Sequence, residues 1–190
     1  MHTVRQASIL IALGLAFSGA MAGEIANSSV ASTGAVNTSA GFMATARQNI
    51  GVAEQNGKIS NSTVILNRAA NTAAGFNSTA TQSVGRATQN GKINNSIVLG
   101  SGLNNTAAGF GSTATQEVGF AKDNGVVENS LVAANGASNV AAGFMASATQ
   151  QIGGAQGNGK LSNSMVVATG SVNTAAGFNS SAAQSIGVAK

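Results

Sequence analysis

Hydrophobic and small polar residues alternate along most of this chain, which is the period-two pattern of a β-strand. In the segment 71–84 one predicted face is apolar with a glutamine in it and is expected to point inward: Ala74, Phe76, Ala80, Gln82 and Val84. The opposite face is small and polar: Asn71, Ala73, Gly75, Asn77, Thr79, Thr81 and Ser83. The pattern therefore predicts a long strand with one buried face.

Turns are predicted where this alternation breaks. Gly85 changes the parity, and the pair Asn90-Gly91 is typical of a tight turn, since both residue types accept positive φ. The glycine of this turn recurs along the chain at Gly57, Gly91, Gly125 and Gly159. A shorter strand follows at 93–99 and ends at 100–102. Its buried face is open, because Ile93, Asn95 and Ile97 compete with Val98 on the other side.

This strand, turn, longer strand, turn pattern returns every 34 residues without insertion or deletion. Its clearest marker is a six-residue motif that begins at Asn37, Asn71, Asn105, Asn139 and Asn173. A fixed period of this length is typical of stacked repeats. We divide residues 23–190 into repeats 25–58, 59–92, 93–126, 127–160 and 161–190, within a single domain. The predicted fold is all-β: a β-solenoid or cross-β stack of five 34-residue rungs, with two strands (a β-arch) per repeat.

Stacking the repeats places identical side chains above one another. The phenylalanine column is Phe42, Phe76, Phe110, Phe144 and Phe178, and the glutamine column is Gln48, Gln82, Gln116, Gln150 and Gln184. Two further columns are Asn61, Asn95, Asn129 and Asn163, and Val30, Val64, Val98, Val132 and Val166. At a strand spacing of about 4.8 Å, amide groups can bond and rings can stack along a column. We expect the phenylalanine, glutamine and asparagine columns to be ladders that drive assembly.

The first 22 residues have the form of a secretory leader. Arg5 precedes a short apolar run at 7–17, and Ala20-Met21-Ala22 has the small-x-small form of a cleavage site. The run is too short for a membrane span. We therefore expect a signal peptide at 1–22, export of the chain, and no membrane-spanning segment.

Composition narrows the class of protein further. The chain has no cysteine or proline, and nine Lys and Arg against five Asp and Glu give a net charge of +4. Disulfides are excluded, and the basic residues are too sparse to indicate a nucleic-acid partner. The low charge leaves little repulsion between copies, and no proline blocks strand pairing at an edge.

Catalytic chemistry has little support in the sequence. The only histidine is His2, in the predicted leader, and the five acidic residues do not recur at equivalent positions of other repeats. The segment 154–160 fits most of a phosphate-binding loop, but Leu161 stands where the loop requires Ser or Thr. We predict no enzyme activity, no cofactor and no metal. Lysines after the turns, at Lys58, Lys92 and Lys160, are interpreted as charges that flank adhesive strands, with polyanion binding as the alternative.

Two segments, Gln89-Asn-Gly-Lys-Ile-Asn-Asn95 and Val172-Asn-Thr-Ala-Ala-Gly177, with a single glutamine further along the strand, resemble the repeats of bacterial functional amyloid proteins. The nearer likeness is to the Fap type and the more distant one to the curli type. The resemblance implies a homopolymer that forms extracellular biofilm fibres, with a related fibre subunit and an outer-membrane secretion pore as partners. Fap major subunits have long linkers and a Cys-x-Cys, which this chain lacks. It therefore looks more similar to a minor or nucleating subunit, or to another branch of repeat amyloids.

Three classes of function follow from these observations. The first is a secreted, self-assembling fibre subunit, and the second is a monomeric β-solenoid that acts as an adhesin. The third is a binding solenoid with a flat threonine face, such as an ice-binding protein, suggested by Thr45, Thr79 and Thr113. That column lapses to Ser147 and Ser181. The fibre subunit is the leading hypothesis.

Overall fold

The protein is a β-solenoid, and the structure, a computed structural model, describes residues 23–190. The predicted signal peptide lies outside the described residues. Nineteen strands and no helix occur within them, and the strands stack in parallel as about five turns of 34 residues. The predicted all-β solenoid of stacked repeats is confirmed.

The strands form three sheets that run along the stack. The short sheet consists of β1 (Glu24–Ala26), β5 (Lys58–Ser60), β8 (Lys92–Asn94), β11 (Asn124–Glu128), β15 (Gln156–Gly157) and β16 (Lys160–Ser162). The long sheet consists of β2 (Ser29–Thr33), β3 (Val36–Gly41), β6 (Thr63–Gly75), β9 (Ile97–Ala108), β12 (Leu131–Asn135), β13 (Ser138–Ala142), β17 (Met165–Thr169) and β18 (Val172–Ala176). The glutamine sheet consists of β4 (Thr45–Ile50), β7 (Thr79–Gly85), β10 (Thr113–Gly119), β14 (Ser147–Gly153) and β19 (Ser181–Ile186).

Each strand pairs with its equivalent one repeat away, so one repeat makes one rung. Gln82 lies opposite Gln48 on one side and Gln116 on the other, and the same offset holds for the parallel pairs of all three sheets. The exception is β15, which runs antiparallel to β11 and pairs Asn124 with Gly157 and Gly125 with Gln156. In-register stacking puts each side chain on its counterpart, as the fixed period predicts.

A rung has more segments than the two predicted strands. Each rung crosses all three sheets, and its path through the long sheet bends once in the middle. The bend lies at Arg68 in β6 and at four glycines in the other rungs: Gly34, Gly102, Gly136 and Gly170. Their φ angles run from 53° at Arg68 to 70° at Gly34, a left-handed conformation that favours glycine. The prediction of two strands (a β-arch) per repeat was therefore too simple. The shorter strand was predicted to end at 100–102, whereas the strand only bends there, at Gly102, and continues to Ala108.

The predicted faces of segment 71–84 are half wrong. The chain turns at Phe76 and Asn77 between β6 and β7, so the parity of the alternation changes there. Downstream, Ala80, Gln82 and Val84 point inward as predicted. Upstream, the buried residues are Asn71 and Ala73, and their neighbours Ala74 and Phe76 face outward.

The open question about the shorter strand is resolved by a corner. Ile93 and Val98 are both fully buried, because Asn95 between them adopts a φ of 48° and turns the chain from the short sheet into the long sheet. Ile97 faces outward and is 40% exposed. Ile93 from one candidate face and Val98 from the other are thus both inward, on opposite sides of the bend.

Two apolar clusters fill the solenoid. The larger is aliphatic, lies beneath the short sheet and the first half of the long sheet, and includes Ile59, Val64, Leu66 and Val84. The smaller consists of alanines between the second half of the long sheet and the glutamine sheet, such as Ala73, Ala80 and Ala107. Because alanine is small, the two sheets approach closely there. Buried amide side chains bridge them.

The four predicted turn glycines are required for a different reason from the one expected. None of Gly57, Gly91, Gly125 and Gly159 has a positive φ. Instead, a Cβ atom at each would collide with the backbone of the next rung, for example with Ala121 at Gly91 and with Gln156 at Gly125. Gly125 even lies within β11. These glycines let neighbouring rungs approach at a crowded edge.

The glycines before the stacked phenylalanines of rungs two to five are expected to tolerate alanine poorly. Gly109 has a φ of 146°, and its Cβ would overlap the carbonyl oxygen of Gly75. Gly109→Ala should therefore destabilise the solenoid by well over the roughly 1 kcal/mol that an unfavourable backbone conformation alone costs. The control is Gly34→Ala, because Gly34 has a φ of 70° with no atom within 4 Å of its Cβ. Midpoints of denaturant unfolding measure both, and equal losses would contradict the close packing between rungs.

Candidate functional site: amide ladders and the ends of the stack

Glutamine side chains form a continuous hydrogen-bonded column through the interior. The Nε2 of Gln82 donates to the Oε1 of Gln48 at 2.8 Å, Gln116 to Gln82 at 2.8 Å, and Gln150 to Gln116 at 2.6 Å. Gln82, Gln116 and Gln150 are fully buried. The fifth member, Gln184, is exposed in the last rung, and the Oε1 of Gln150 has no partner among the described residues. The ladder therefore ends one rung before the stack does.

A second ladder, of asparagines, was missed by the sequence analysis. The Nδ2 of Asn37 donates to the Oδ1 of Asn71 at 2.9 Å, and the bonds continue through Asn105 and Asn139 to Asn173 at 2.7 to 2.8 Å. Each Nδ2 also reaches a carbonyl of the facing glutamine sheet, as Asn105 does at Thr115, 2.9 Å away. These residues open the repeat motif, which was the available signal. The wrong parity had placed them on the outside.

The column of Asn61, Asn95, Asn129 and Asn163 does not form the predicted ladder. All four side chains are exposed, and their φ angles are 46° to 49°, the left-handed conformation that asparagine tolerates better than most residues. They form the corner between the short and long sheets. An exposed asparagine ladder lies elsewhere, where Asn90 donates to Asn124 at 2.7 Å and Asn124 to Asn158 at 2.8 Å.

The phenylalanines stack as predicted but are not buried. Successive rings from Phe42 to Phe178 lie 4.8 to 5.1 Å apart with interplanar angles of 3° to 7°. Exposure is 43% to 45% for the three interior rings and rises to 72% at Phe42 and 76% at Phe178. The expected core contribution of this column was wrong, because the turn at Phe76 points the rings outward. The stack is a surface ridge with two bare ends.

Charged side chains form ion pairs within and between two neighbouring columns of the short sheet. Lys58 pairs with Glu24 at 2.8 Å, while Glu128 lies between Lys160, at 2.5 Å, and Lys92, at 3.6 Å. The hydrogen bond from Lys58, together with its charge, holds the pKa of Glu24 below its usual value. The hydrogen bond from Lys160 likewise lowers the pKa of Glu128, and the charges of both lysines add to it. Both carboxylates are therefore ionised at neutral pH.

Two of the remaining acidic residues line a shallow surface groove and one is part of an ion pair. Glu117 is nearly buried and pairs with Lys122 at 2.6 Å. Glu54 and Asp123 line the groove together with Arg86 and Lys122. In residues 23–190, His, Cys, Asp and Glu form no group of three that could hold a metal ion. That same part of the chain contains no helix long and apolar enough to cross a membrane.

The first and last rungs leave their hydrogen-bonding groups open in complementary ways. At the first rung, the Oδ1 of Asn37 accepts, and the Nε2 of Gln48 donates, no hydrogen bond within the described part of the chain. The last rung presents the opposite groups, since Nδ2 is the atom that donates along the asparagine ladder and Oε1 the atom that accepts along the glutamine ladder. Asn173 and Gln184 hold these positions. The Nδ2 of Asn173 donates to the carbonyls of Ala148 and Ala183, as its counterparts in the interior rungs do in their own sites, and among the described residues lacks only the bond to a following asparagine. The edge strands of both rungs also leave one side of their backbones unpaired within residues 23–190.

Comparison with known proteins adds no relative from which a role could be transferred. No protein-family model, no curated protein and no solved structure matches the chain. The functional argument therefore rests on the chain's own residues.

The asparagine ladder should contribute more to stability than its exposed neighbours. Asn105→Ala removes the group that bonds to Asn71, Asn139 and two carbonyls of the glutamine sheet. We expect a loss of about 1 to 3 kcal/mol for each buried polar group left without a partner. The control is Asn104→Ala next to it, which is exposed and should change the free energy of unfolding by less than about 0.5 kcal/mol. Similar losses at both positions would show that the ladder does not stabilise the stack.

Proposed function

We propose that this protein is a secreted, self-assembling structural subunit of an extracellular fibre, in which the last rung of one copy stacks on the first rung of the next. The observation that carries the proposal is the complementarity of the two ends. Both end rungs have the same strands as the interior rungs, and in each ladder the open group is a donor at one end of the stack and an acceptor at the other. A further rung would extend every column already present within the chain.

Backbone pairing supplies the first part of this junction. Strands β16 to β19 of one copy would pair with β1 to β4 of the next in the parallel register used between interior rungs. Open strand edges are the usual sites of such growth. Contacts of this kind join unlike surfaces and continue without closure, so they generate filaments rather than rings. The result is a cross-β fibre with the strand spacing of about 4.8 Å along its axis.

The side-chain columns supply register and direction. In the next copy, Asn37 would accept from Asn173, and Gln48 would donate to Gln184. Phe42 would stack on Phe178, so the two most exposed rings of the ridge would cover each other. Joining two first rungs, or two last rungs, would turn one copy over, so the edge strands would meet antiparallel and the columns would not continue across the junction.

The charge column favours the same arrangement. One rung beyond Lys160, the equivalent position is Glu24 of the next copy, since the column runs through Glu24, Lys58, Lys92 and Val126 to Lys160. Glu24 would then lie between its own Lys58 and the Lys160 of its neighbour. Lys160 is 59% exposed in the single chain and is available for this contact.

The biological setting follows from the leader and the resemblance. A predicted signal peptide and likeness to Fap-type repeats support export to the bacterial surface, with an outer-membrane pore and a related fibre subunit as partners. The alternative is a monomeric adhesin or binding solenoid. It is favoured by the threonines that face outward on the glutamine sheet, at Thr79, Thr81, Thr113, Thr115 and Thr149. That face is interrupted by Arg47 in the first rung and Ala183 in the last.

Residues 23–190, released from denaturant, should assemble into fibres with a meridional reflection near 4.7 Å. Electron microscopy and fibre diffraction measure this directly. A chain that stays monomeric for weeks at tens of micromolar, as judged by light scattering, would exclude the fibre subunit and favour the binding solenoid.

Cysteine substitution tests the direction of stacking, and the chain provides a background without cysteine. Thr45 and Ser181 are exposed and belong to one column of the glutamine sheet, at its two ends. Head-to-tail stacking brings them to about 4.8 Å, within the range of a disulfide. The variant Thr45→Cys/Ser181→Cys should give a ladder of covalent multimers on oxidation, and neither single variant should form dimers.

Three controls accompany this test. Thr45→Cys/Ser147→Cys places the thiols two rungs apart across the junction, about 9.6 Å, and should not cross-link. Dimers from Thr45→Cys alone would show that first rungs meet each other, and dimers from Ser181→Cys alone would show the same of last rungs. Either result would refute head-to-tail stacking even if fibres form.

A further inference from the structure

The outer surface of the first half of the long sheet carries aliphatic side chains. We name it the aliphatic face: Ile65, Ile97, Leu99, Leu131, Met165 and Val167. Exposure reaches 40% at Ile97, 41% at Val167 and 63% at Met165, and the other three residues are half-buried. Their neighbours in sequence, such as Val64 and Val98, fill the core on the other side of the sheet. In rungs three to five the first two outward positions of this sheet are thus apolar, whereas the third outward column, which includes Asn67, Ser101, Asn135 and Thr169, is polar.

The outward surfaces of the other two sheets are more polar. The outward positions of the glutamine sheet are mainly threonine and serine, and those of the short sheet include the lysines and two glutamates. Around the aliphatic face, the three outward positions of the first half of the long sheet are uncharged in all five described rungs. They run from Ser29, Ala31 and Thr33 to Met165, Val167 and Thr169. A continuous exposed apolar surface of this kind marks an interaction site.

The geometry of the face limits what can cover it. Its side chains repeat with every rung, at about 4.8 Å. A partner that contacts each rung in the same way must have the same repeat and must also be apolar and uncharged. The same face of another copy meets all three conditions. Dry contacts between identical flat sheets are how cross-β filaments pair.

We infer that the aliphatic face joins two filaments of this protein side by side, sheet against sheet, about 10 Å apart. This inference rests on the proposed function, because it concerns the filaments that head-to-tail stacking produces. The partner is a second copy of the chain, in a contact separate from the end-to-end junction. The threonine face would remain on the outside of the pair.

The area of the aliphatic face determines whether end-to-end stacking or lateral pairing comes first. A five-residue strand is about 17 Å long and four rungs are about 19 Å high, so one copy offers roughly 300 Å², against about 800 Å² per partner in a stable interface. A pair of single copies is therefore too weak to persist. In a filament the area adds with every subunit, so three or more stacked copies exceed the threshold. Lateral pairing should follow stacking and should not produce a dimer of free subunits.

The test is the mass per unit length of fibres, measured by scanning transmission electron microscopy. A single filament contains one subunit per five rungs, about 24 Å, and a paired filament contains two. The wild type should give two. Ile97→Thr/Leu131→Thr/Val167→Thr keeps an uncharged side chain of good strand propensity at each position but removes the aliphatic surface. It should give one, with the meridional spacing unchanged.

Two further variants make the result specific. Thr81→Ser/Thr115→Ser/Thr149→Ser alters the same number of outward positions on the glutamine sheet and should still give two subunits. Ala133→Lys places one charge within the aliphatic face without touching the core and should give one subunit, in case the triple variant fails to fold.

The outcomes separate this inference from the proposed function. Wild-type fibres with one subunit per 24 Å, the height of about five rungs, would overturn lateral pairing and leave head-to-tail stacking intact. Wild-type fibres with two subunits, unaffected by Ala133→Lys and by the triple threonine variant, would show that another surface pairs the filaments. Failure of the wild type to form any fibre would overturn both.

Discussion

The structure depends on one constraint, which is that every rung must lie on the next with equal residues in contact. Parallel strands about 4.8 Å apart keep this register only where neighbouring repeats have paired segments of equal length. The 34-residue period satisfies this condition, since no copy contains an insertion. The glycines before the phenylalanines and at the Asn-Gly segments follow from the same constraint, because the backbones of adjacent rungs approach where a side chain would stand. The buried asparagines and glutamines also depend on it, since each amide finds its partner only in the equivalent residue of a neighbouring rung.

Buried amides specify the register between neighbouring rungs, which the small core alone could not do. Much of the interior is alanine, which offers little shape by which one register could be preferred over another. A shift of one residue would bring apolar groups against the buried amides and leave their donors and acceptors without partners, at a cost of about 1 to 3 kcal/mol each. The ladders thus destabilise wrong registers, while the aliphatic cluster supplies most of the apolar burial.

The repeat, the rung and the glutamine column were predictable from sequence, because each depends only on the period and on local alternation. The inward direction of Asn71 was not, since it depends on a turn at Phe76 and Asn77 that lacks proline and follows a glycine easily taken for a strand residue. One misplaced turn reversed the parity upstream, which hid the asparagine ladder and placed the phenylalanines inside. The corner at Asn95 had the same effect on Ile93 and Val98. Period alone could not reveal these bends, because a bend that recurs in every repeat leaves the period unchanged.

The two interior ladders donate in opposite directions along the stack. Asparagine amides give their hydrogen bonds toward later rungs, and glutamine amides give theirs toward earlier ones. Each rung therefore adds two side-chain dipoles of opposite sense. A single ladder would align its dipoles head to tail, as the peptide units of a helix do, and build up partial charge at its ends. Here the two interior ladders oppose each other, so their side-chain dipoles do not add up along the stack as those of a single ladder would.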